Sequence, residues 1–147
     1  MQYFDFSIDV PPSDNSLYFN RRKFSGKQKG RGLTSAARTW KNSTAYILRS
    51  QGVKLSFTGQ YFGIFSILSV NQKGQRKDLS NCYKAFIDVV SDLIQIDDKF
   101  LVEDIRLLNL GVDLTPNLFG TIAVWDSYSE ALLNSLIQTK SSAMIRR

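Results

Sequence analysis

The chain has no histidine and a single cysteine among its 147 residues. Each absence closes off some chemistry. Without histidine there is no Ser-His-Asp triad, no zinc–histidine centre and no histidine general base. With Cys82 alone there is no disulfide within the chain and no thiol cluster for zinc. Catalysis by Cys82 is disfavoured too, because the chain offers no histidine as its base. No apolar run approaches transmembrane length. The opening MQYFDFSID is acidic and alternating, unlike a signal peptide. The expected setting is intracellular (cytoplasmic, nucleoid-associated or the host-cell equivalent), with no membrane partner. A further absence is regional: between Asn15 and Lys77 there is no Asp or Glu, while thirteen Lys or Arg fall there.

The remaining composition supports one folded domain. Hydrophobic residues make up 43% and aromatics 12%, enough for a core and against whole-chain disorder. The net charge is +6. Its distribution says more than its sum, because seven acids crowd into Asp78 to Asp104 immediately after the acid-free stretch. A basic arm feeding an acidic centre suits a metal-dependent enzyme acting on nucleic acid: the cations neutralise phosphates and the carboxylates hold an ion at the reacting one. The plainer alternative is an ordinary basic surface beside an ordinary acidic helix.

Along the chain, Tyr3 to Val10 alternates as a strand does, and Pro11-Pro12 stops it. Residues 20–33 hold Arg21, Arg22, Lys23, Lys27, Lys29 and Arg31 with few apolar neighbours, and read as a mobile basic loop that either grips phosphates or is a solvated linker. No Gly-Lys-Ser/Thr follows a strand there, so it is not a P-loop. Thr34 or Ser35 caps a helix to about Ser50, with Ala37, Trp40, Thr44, Ile47 and Leu48 as its apolar stripe and Gly52 as its stop. Tyr61 to Val70 reads as a buried strand. Strands are also predicted within Leu101 to Leu110 and from Phe119 to Trp125. A last helix is predicted from Ser127 or Ser129 to about Gln138, followed by a frayed tail. The order strand, helix, strand, helix, strand, strand, helix gives a single α+β domain, a small mixed β-sheet covered by helices.

The central stretch, Gln75 to Asp104, organises the rest. On a helical wheel over Asp78 to Ile94, Leu79, Cys82, Tyr83, Phe86, Ile87, Val89, Val90, Leu93 and Ile94 share one half. Asp78, Ser80, Asn81, Lys84, Asp88, Ser91 and Asp92 share the other, where Ala85 is the one small apolar intruder. The acidic pair Asp97-Asp98 follows one turn later. Crowded carboxylates repel unless a cation neutralises them, so the stretch is a candidate site for Mg²⁺ or Mn²⁺, the ions that all-oxygen donors favour. Two plainer roles stand beside this one: Asp78 as a helix cap, and Lys84 paired with Asp88 at i,i+4 spacing.

Two pieces of the sequence, taken together, resemble the RusA family of Holliday-junction resolvases, the crossover junction endodeoxyribonucleases. One is the N-terminal strand followed by Pro11-Pro12-Ser13-Asp14-Asn15. The other is Arg76-Lys77-Asp78-Leu79-Ser80-Asn81 with Lys84, Asp88, Asp97-Asp98, Val102 and Glu103. The resemblance runs from about Phe4 to Arg106 and leaves residues 127–147 as an extra C-terminal helical extension. It implies a RusA-like fold and a homodimer that cleaves four-way junctions, or other branched DNA, in recombination and repair. Asp78 and Asp98, with Asp97 beside them, would hold the divalent ion for phosphodiester hydrolysis. Asn81 would orient the ligands, Lys84 would offset charge growing on the scissile phosphate, and Asp88 and Glu103 would support the site. The basic loop from Arg21 to Arg31, with Lys73, Arg76 and Lys77, would grip backbone phosphates.

One departure matters. The family pattern has an aspartate where this chain has Ser80, and a hydroxyl is a far weaker metal ligand. Either Asp88, Asp92 or Glu103 compensates and the chain is an active nuclease, or it is a weakened or inactive relative that binds branched DNA without cutting. A third possibility, unrelated to DNA, is an interaction module whose acidic helix face docks a protein partner.

Overall fold

The computed structural model describes residues 1–20, 31–54, 57–71, 80–113 and 117–145. Its elements in chain order are β1 (Gln2–Asp9), α1 (Asp14–Leu17), β2 (Tyr18–Asn20), β3 (Arg31–Leu33), α2 (Ser35–Ser50), β4 (Tyr61–Asn71), α3 (Ser80–Ile94), β5 (Leu101–Asp113), β6 (Asn117–Trp125) and α4 (Glu130–Ile145). Short 3₁₀ turns at Asp98–Phe100 and Ser127–Ser129 precede β5 and α4. The main sheet has the order β1-β6-β4-β5. Pairing is antiparallel between β1 and β6 and between β6 and β4, but parallel between β4 and β5. The α+β expectation of a mixed sheet covered by helices is met. The parallel pair is a consequence of α3, because two parallel neighbours need a crossover element between them.

Alternation along the strands sorts side chains to two faces. Phe6, Ile8, Phe62, Ile64, Leu118, Ile122 and Val124 pack with Leu48 of α2 and with Tyr83, Phe86, Val89, Val90, Leu93 and Ile94 of α3. On the opposite face Phe65, Ala123 and Trp125 pack with Leu133 and Leu136 of α4. The C-terminal helix is therefore a third layer, packed on β4 and β6. It runs to Ile145, past the expected end near Gln138. Gly120 shows how closely the central strands approach: a Cβ there would stand 1.9 Å from the Phe65 carbonyl oxygen, so no other residue fits.

Helix ends follow local chemistry. Thr34 Oγ1 accepts from the Ala37 amide at 3.2 Å and caps α2. Gly52, at φ +94°, closes its other end. The sheet's β1 edge is partly covered by side chains. Gln51 bonds both the amide and the carbonyl of Ser7, at 3.0 and 2.8 Å, and Trp40 Nε1 donates to the Asp9 carbonyl at 3.2 Å. Such contacts blunt an edge that would otherwise template pairing with another chain.

Two short pieces escape the sequence reading. Asn20 and residues 31–33, expected inside a mobile loop, are strand residues: β2 pairs antiparallel with β3. The turn of helix α1 directly after Pro11-Pro12 is the other. Among the described residues no helix is long and apolar enough to cross a membrane.

Candidate functional site

Ala85, the intruder on the polar half of α3, is the key to the site's construction. It is fully buried and packs with Leu17 of α1 and Ala37 of α2. A larger residue would hold α1 away; alanine lets a single helical turn lie directly on α3. Thr34 secures that turn, since its amide donates to the Leu17 carbonyl at 2.9 Å and its hydroxyl donates to the Ser16 carbonyl at 3.0 Å. The result is that Asp14, the first residue of α1, is held beside the polar face of α3.

Asp14 records that setting in its ionisation. Burial pushes its carboxyl above the ordinary aspartate value, the Lys84 ammonium pulls it back and the Asp88 carboxylate pushes it up again. One of its oxygens, Oδ1, is buried and has no hydrogen-bond partner among the described residues. A carboxyl favoured in its protonated form by folding adds stability below the unfolded aspartate range, and loses that contribution as pH rises through its folded value.

Asp88 does not pair with Lys84, four residues before it. Its Oδ2 takes the Lys41 ammonium of α2 at 2.5 Å, with both side chains largely buried at 19% and 25% exposure. Lys84 stays exposed and makes no ion pair among the described residues. The plainer role offered by i,i+4 spacing is thus replaced by a bridge between two helices, which leaves Lys84 available.

Beyond Asp88 the chain bends back on itself. Gln95 lies at φ 57°, the left-handed region that ends α3. Its side chain donates to the Asp92 carbonyl at 2.6 Å. This reversal carries Asp97 and Asp98 round to the last turns of α3. Lys41, Asp88, Ser91, Asp92, Asp97 and Asp98 then line one cleft of about 400 Å³. Ser91 Oγ is buried there without a partner among the described residues. Asp97 is partly engaged: it accepts from the Lys99 amide at 3.1 Å and pairs with the Lys99 ammonium at 3.3 Å. Those contacts, the amide first, hold its carboxyl below the ordinary aspartate value.

Of the residues singled out from sequence, the structure sets Asp88, Asp92, Asp97 and Asp98 around one cleft. It leaves Lys84 exposed on α3, and Ser80 and Asn81 exposed at the start of that helix. Glu103 lies on β5 opposite Gly63. Asp78, Arg21, Arg22, Lys23, Lys27, Lys29, Lys73, Arg76 and Lys77 lie outside the described residues, as do the side chains of Arg31 and Glu103. Among the described residues no three acidic, histidine or cysteine side chains converge to hold a metal ion. They therefore do not fit a metal centre by themselves, and the Asp78–Asp98 pairing would need a residue outside them. Sequence reasoning missed Asp14 and Lys41 as site residues. The signal for Asp14 was present as the one acid in the PPSDN run, combined with the break that Ala85 makes in a polar face.

No family model and no curated protein matches the chain. Among solved structures it is similar to a 2C-methyl-D-erythritol-2,4-cyclodiphosphate synthase in its CDP-bound form. The likeness has 13% identity and a TM-score of 0.32, over 82% of this chain and 95% of that one. A likeness that faint carries no argument about fold or function.

Proposed function

We propose that this protein is a RusA-type, divalent-metal-dependent endonuclease that acts as an intracellular homodimer on four-way or otherwise branched DNA. The observation that carries the reading is the cleft at the end of α3, lined by Asp88, Asp92, Asp97 and Asp98, with Lys84 exposed earlier on the same helix. An exposed ammonium on the helix that also lines an acidic cleft suits a phosphodiester, whose charge grows during cleavage. In this reading Lys84 meets the scissile phosphate, Asn81 orients the groups around it, and the basic residues from Arg21 to Arg31 with Lys73, Arg76 and Lys77 follow the DNA backbone. Asp78, Asp98 and Asp97 are the proposed seat of Mg²⁺ or Mn²⁺, which would supply an activated water.

A second reading is favoured by Ser80 standing where the family pattern has a carboxylate, and by the engagement of Asp97 with Lys99. In it the chain binds branched DNA and does not cut.

Labelled four-way junctions incubated with Mg²⁺ separate the two. Cleavage by the wild type and a loss of at least about a hundredfold in Asp98→Asn support the nuclease reading. Equal cutting by both proteins overturns the site assignment. Tight, steeply salt-dependent binding with no product at any metal concentration selects the second reading. Absence of salt-dependent binding overturns both.

A further inference from the structure

Phe100 follows the acidic pair Asp97-Asp98 by two residues, and its ring is 39% exposed. The ring is braced from beneath. Tyr61 meets it at 73° with ring centres 6.5 Å apart, and Tyr61 in turn lies against Trp125 at 6.4 Å. Trp125 is buried in the cluster under α4. The turn that carries Phe100 is closed by backbone groups: the Phe100 amide donates to the Asp97 carbonyl at 3.0 Å, and the Leu101 amide donates to the Asp98 carbonyl. Leu101 then enters the sheet opposite Phe62. Tyr46 and Tyr128 are more exposed but touch no other ring among the described residues. Beside Phe100 stands Lys99, whose ammonium is 5.1 Å from the ring centre and 3.3 Å from the Asp97 carboxylate. That ion pair is exposed, at 66% and 53%, so it is weak and exchangeable. The turn does not depend on it, because Asp97 also accepts from the Lys99 amide at 3.1 Å. Tyr3 gives the contrast. There Lys140 lies over the ring while tied to both oxygens of Asp5, and is not free to leave.

We propose that Phe100 and Lys99 form a stacking subsite for an unpaired nucleobase of the bound strand, the base lying on the Phe100 ring and Lys99 on the phosphate beside it. Stacking of a base on an aromatic ring outweighs an exposed contact between a cation and that ring. The base therefore takes the ring, and the ammonium passes to the phosphate. Asp98, which lines the cleft, is two residues from Phe100, at most about 7 Å along the chain. That is a nucleotide or two along a strand. A fully stacked duplex offers no free base face, whereas the centre of a branch does. The subsite thus favours branched over plain DNA without reading sequence, since every base has a π-face. This inference rests on the nucleic-acid reading of the cleft and adds to it the feature of the substrate that is recognised. It does not require cleavage.

Fluorescence anisotropy in Mg²⁺ decides the matter with three labelled probes of equal length: an oligothymidylate strand, the same backbone carrying abasic sites throughout, and a blunt duplex. Wild type should bind oligothymidylate more tightly than the abasic strand. Phe100→Ala should weaken binding of oligothymidylate roughly tenfold and leave the abasic strand and the duplex unchanged. Phe100→Trp should restore the affinity. Lys99→Met should lower the salt dependence of strand binding by about one counterion. Wild-type affinity for oligothymidylate in Phe100→Ala overturns the inference, as does failure of the wild type to bind that strand. An equal loss on all three probes also overturns it and marks Phe100 as structural. Unchanged DNA binding with loss of self-association in Phe100→Ala, read by sedimentation, assigns the ring to a contact between copies and overturns it too. Cleavage of four-way junctions is scored separately. If the wild type does not cut, the nuclease reading fails and the anisotropy alone decides the subsite. If junctions are cut and Phe100→Ala is silent on every probe, the subsite fails and the nuclease reading stands.

Discussion

Two lysine–aspartate pairs sit on opposite faces of the same sheet, and their surroundings differ. On the α4 face, Lys140 spans both oxygens of Asp5 at 2.7 and 2.9 Å, the Thr121 hydroxyl donates to Asp5 at 2.7 Å, and the Lys140 ammonium also lies 5.2 Å from the centre of the Tyr3 ring. Both carboxylate oxygens are used, and the lysine is braced on a ring. On the α2–α3 face, Lys41 takes one oxygen of Asp88, and the same two side chains border an open cleft. Around that pair Asp14 Oδ1 and Ser91 Oγ lack partners, and Lys84 makes no ion pair, among the described residues. The same chemistry serves as a closed tie between layers in one place and as the wall of a polar site in the other. Unsatisfied groups gathered on one face are what a binding site retains and a structural tie removes.

The contrast predicts different costs in the apolar layers under each pair. Phe86 is fully buried and packs against Phe6, with ring centres 4.8 Å apart, and against Tyr83. Phe86→Ala should destabilise by about 3–5 kcal/mol, read as a lower denaturant midpoint. Leu133→Ala, in the smaller cluster beneath α4, should cost about 2 kcal/mol. Equal losses would mean that α4 is as central to the fold as α3, and that the polar face of α3 is not supported by a stronger core than its counterpart.

The part of this arrangement that was legible in the sequence is the part that rests on periodicity. The two-faced pattern of the central helix, the cap at Thr34 and the alternation in Phe119 to Trp125 each depend on a few neighbouring residues. The layer role of α4 was not legible, because its apolar residues show that a face is buried without showing against which surface. The ribbon of β2 and β3 was hidden for a similar reason: three-residue strands on either side of a basic run carry no period long enough to detect. The Lys41–Asp88 bridge joins residues 47 positions apart. A local rule pointed to Lys84 instead, and the tertiary packing of α2 on α3 overrode it. Around the cleft, the polar face of α3 was readable and the partners of its side chains were not.

Replacing the lysine of each pair sharpens the comparison. Lys41→Met leaves Asp88, a side chain only 25% exposed, without its cation, and should cost about 1–3 kcal/mol, between the values for surface and buried pairs. Lys140→Met removes one partner of Asp5, which is 65% exposed and keeps the Thr121 hydroxyl, and should cost less than about 1 kcal/mol. Urea unfolding of the two variants at low salt checks the order. If Lys140→Met proves the more damaging, Asp5 anchors the sheet more firmly than Asp88 does and the contrast between the faces reverses.

The smallest expected effect lies at the turn that shapes the cleft. Gln95 adopts φ 57°, where a side chain crowds the following carbonyl by roughly 1–2 kcal/mol relative to glycine. Gln95→Gly removes that crowding, but it also removes the 2.6 Å bond from the Gln95 amide to the Asp92 carbonyl and gives the unfolded chain more freedom. These terms nearly cancel, so the net change should fall within about 1 kcal/mol of zero, with a slight gain favoured because the bond is exposed to solvent. The informative quantity is the contrast with Gln95→Ala, which keeps the crowding and loses the bond. Alanine should be less stable than glycine at this position. If it is the more stable of the two, the left-handed turn at Gln95 is not what brings Asp97 and Asp98 back to α3, and the cleft must owe its shape to contacts farther along the chain.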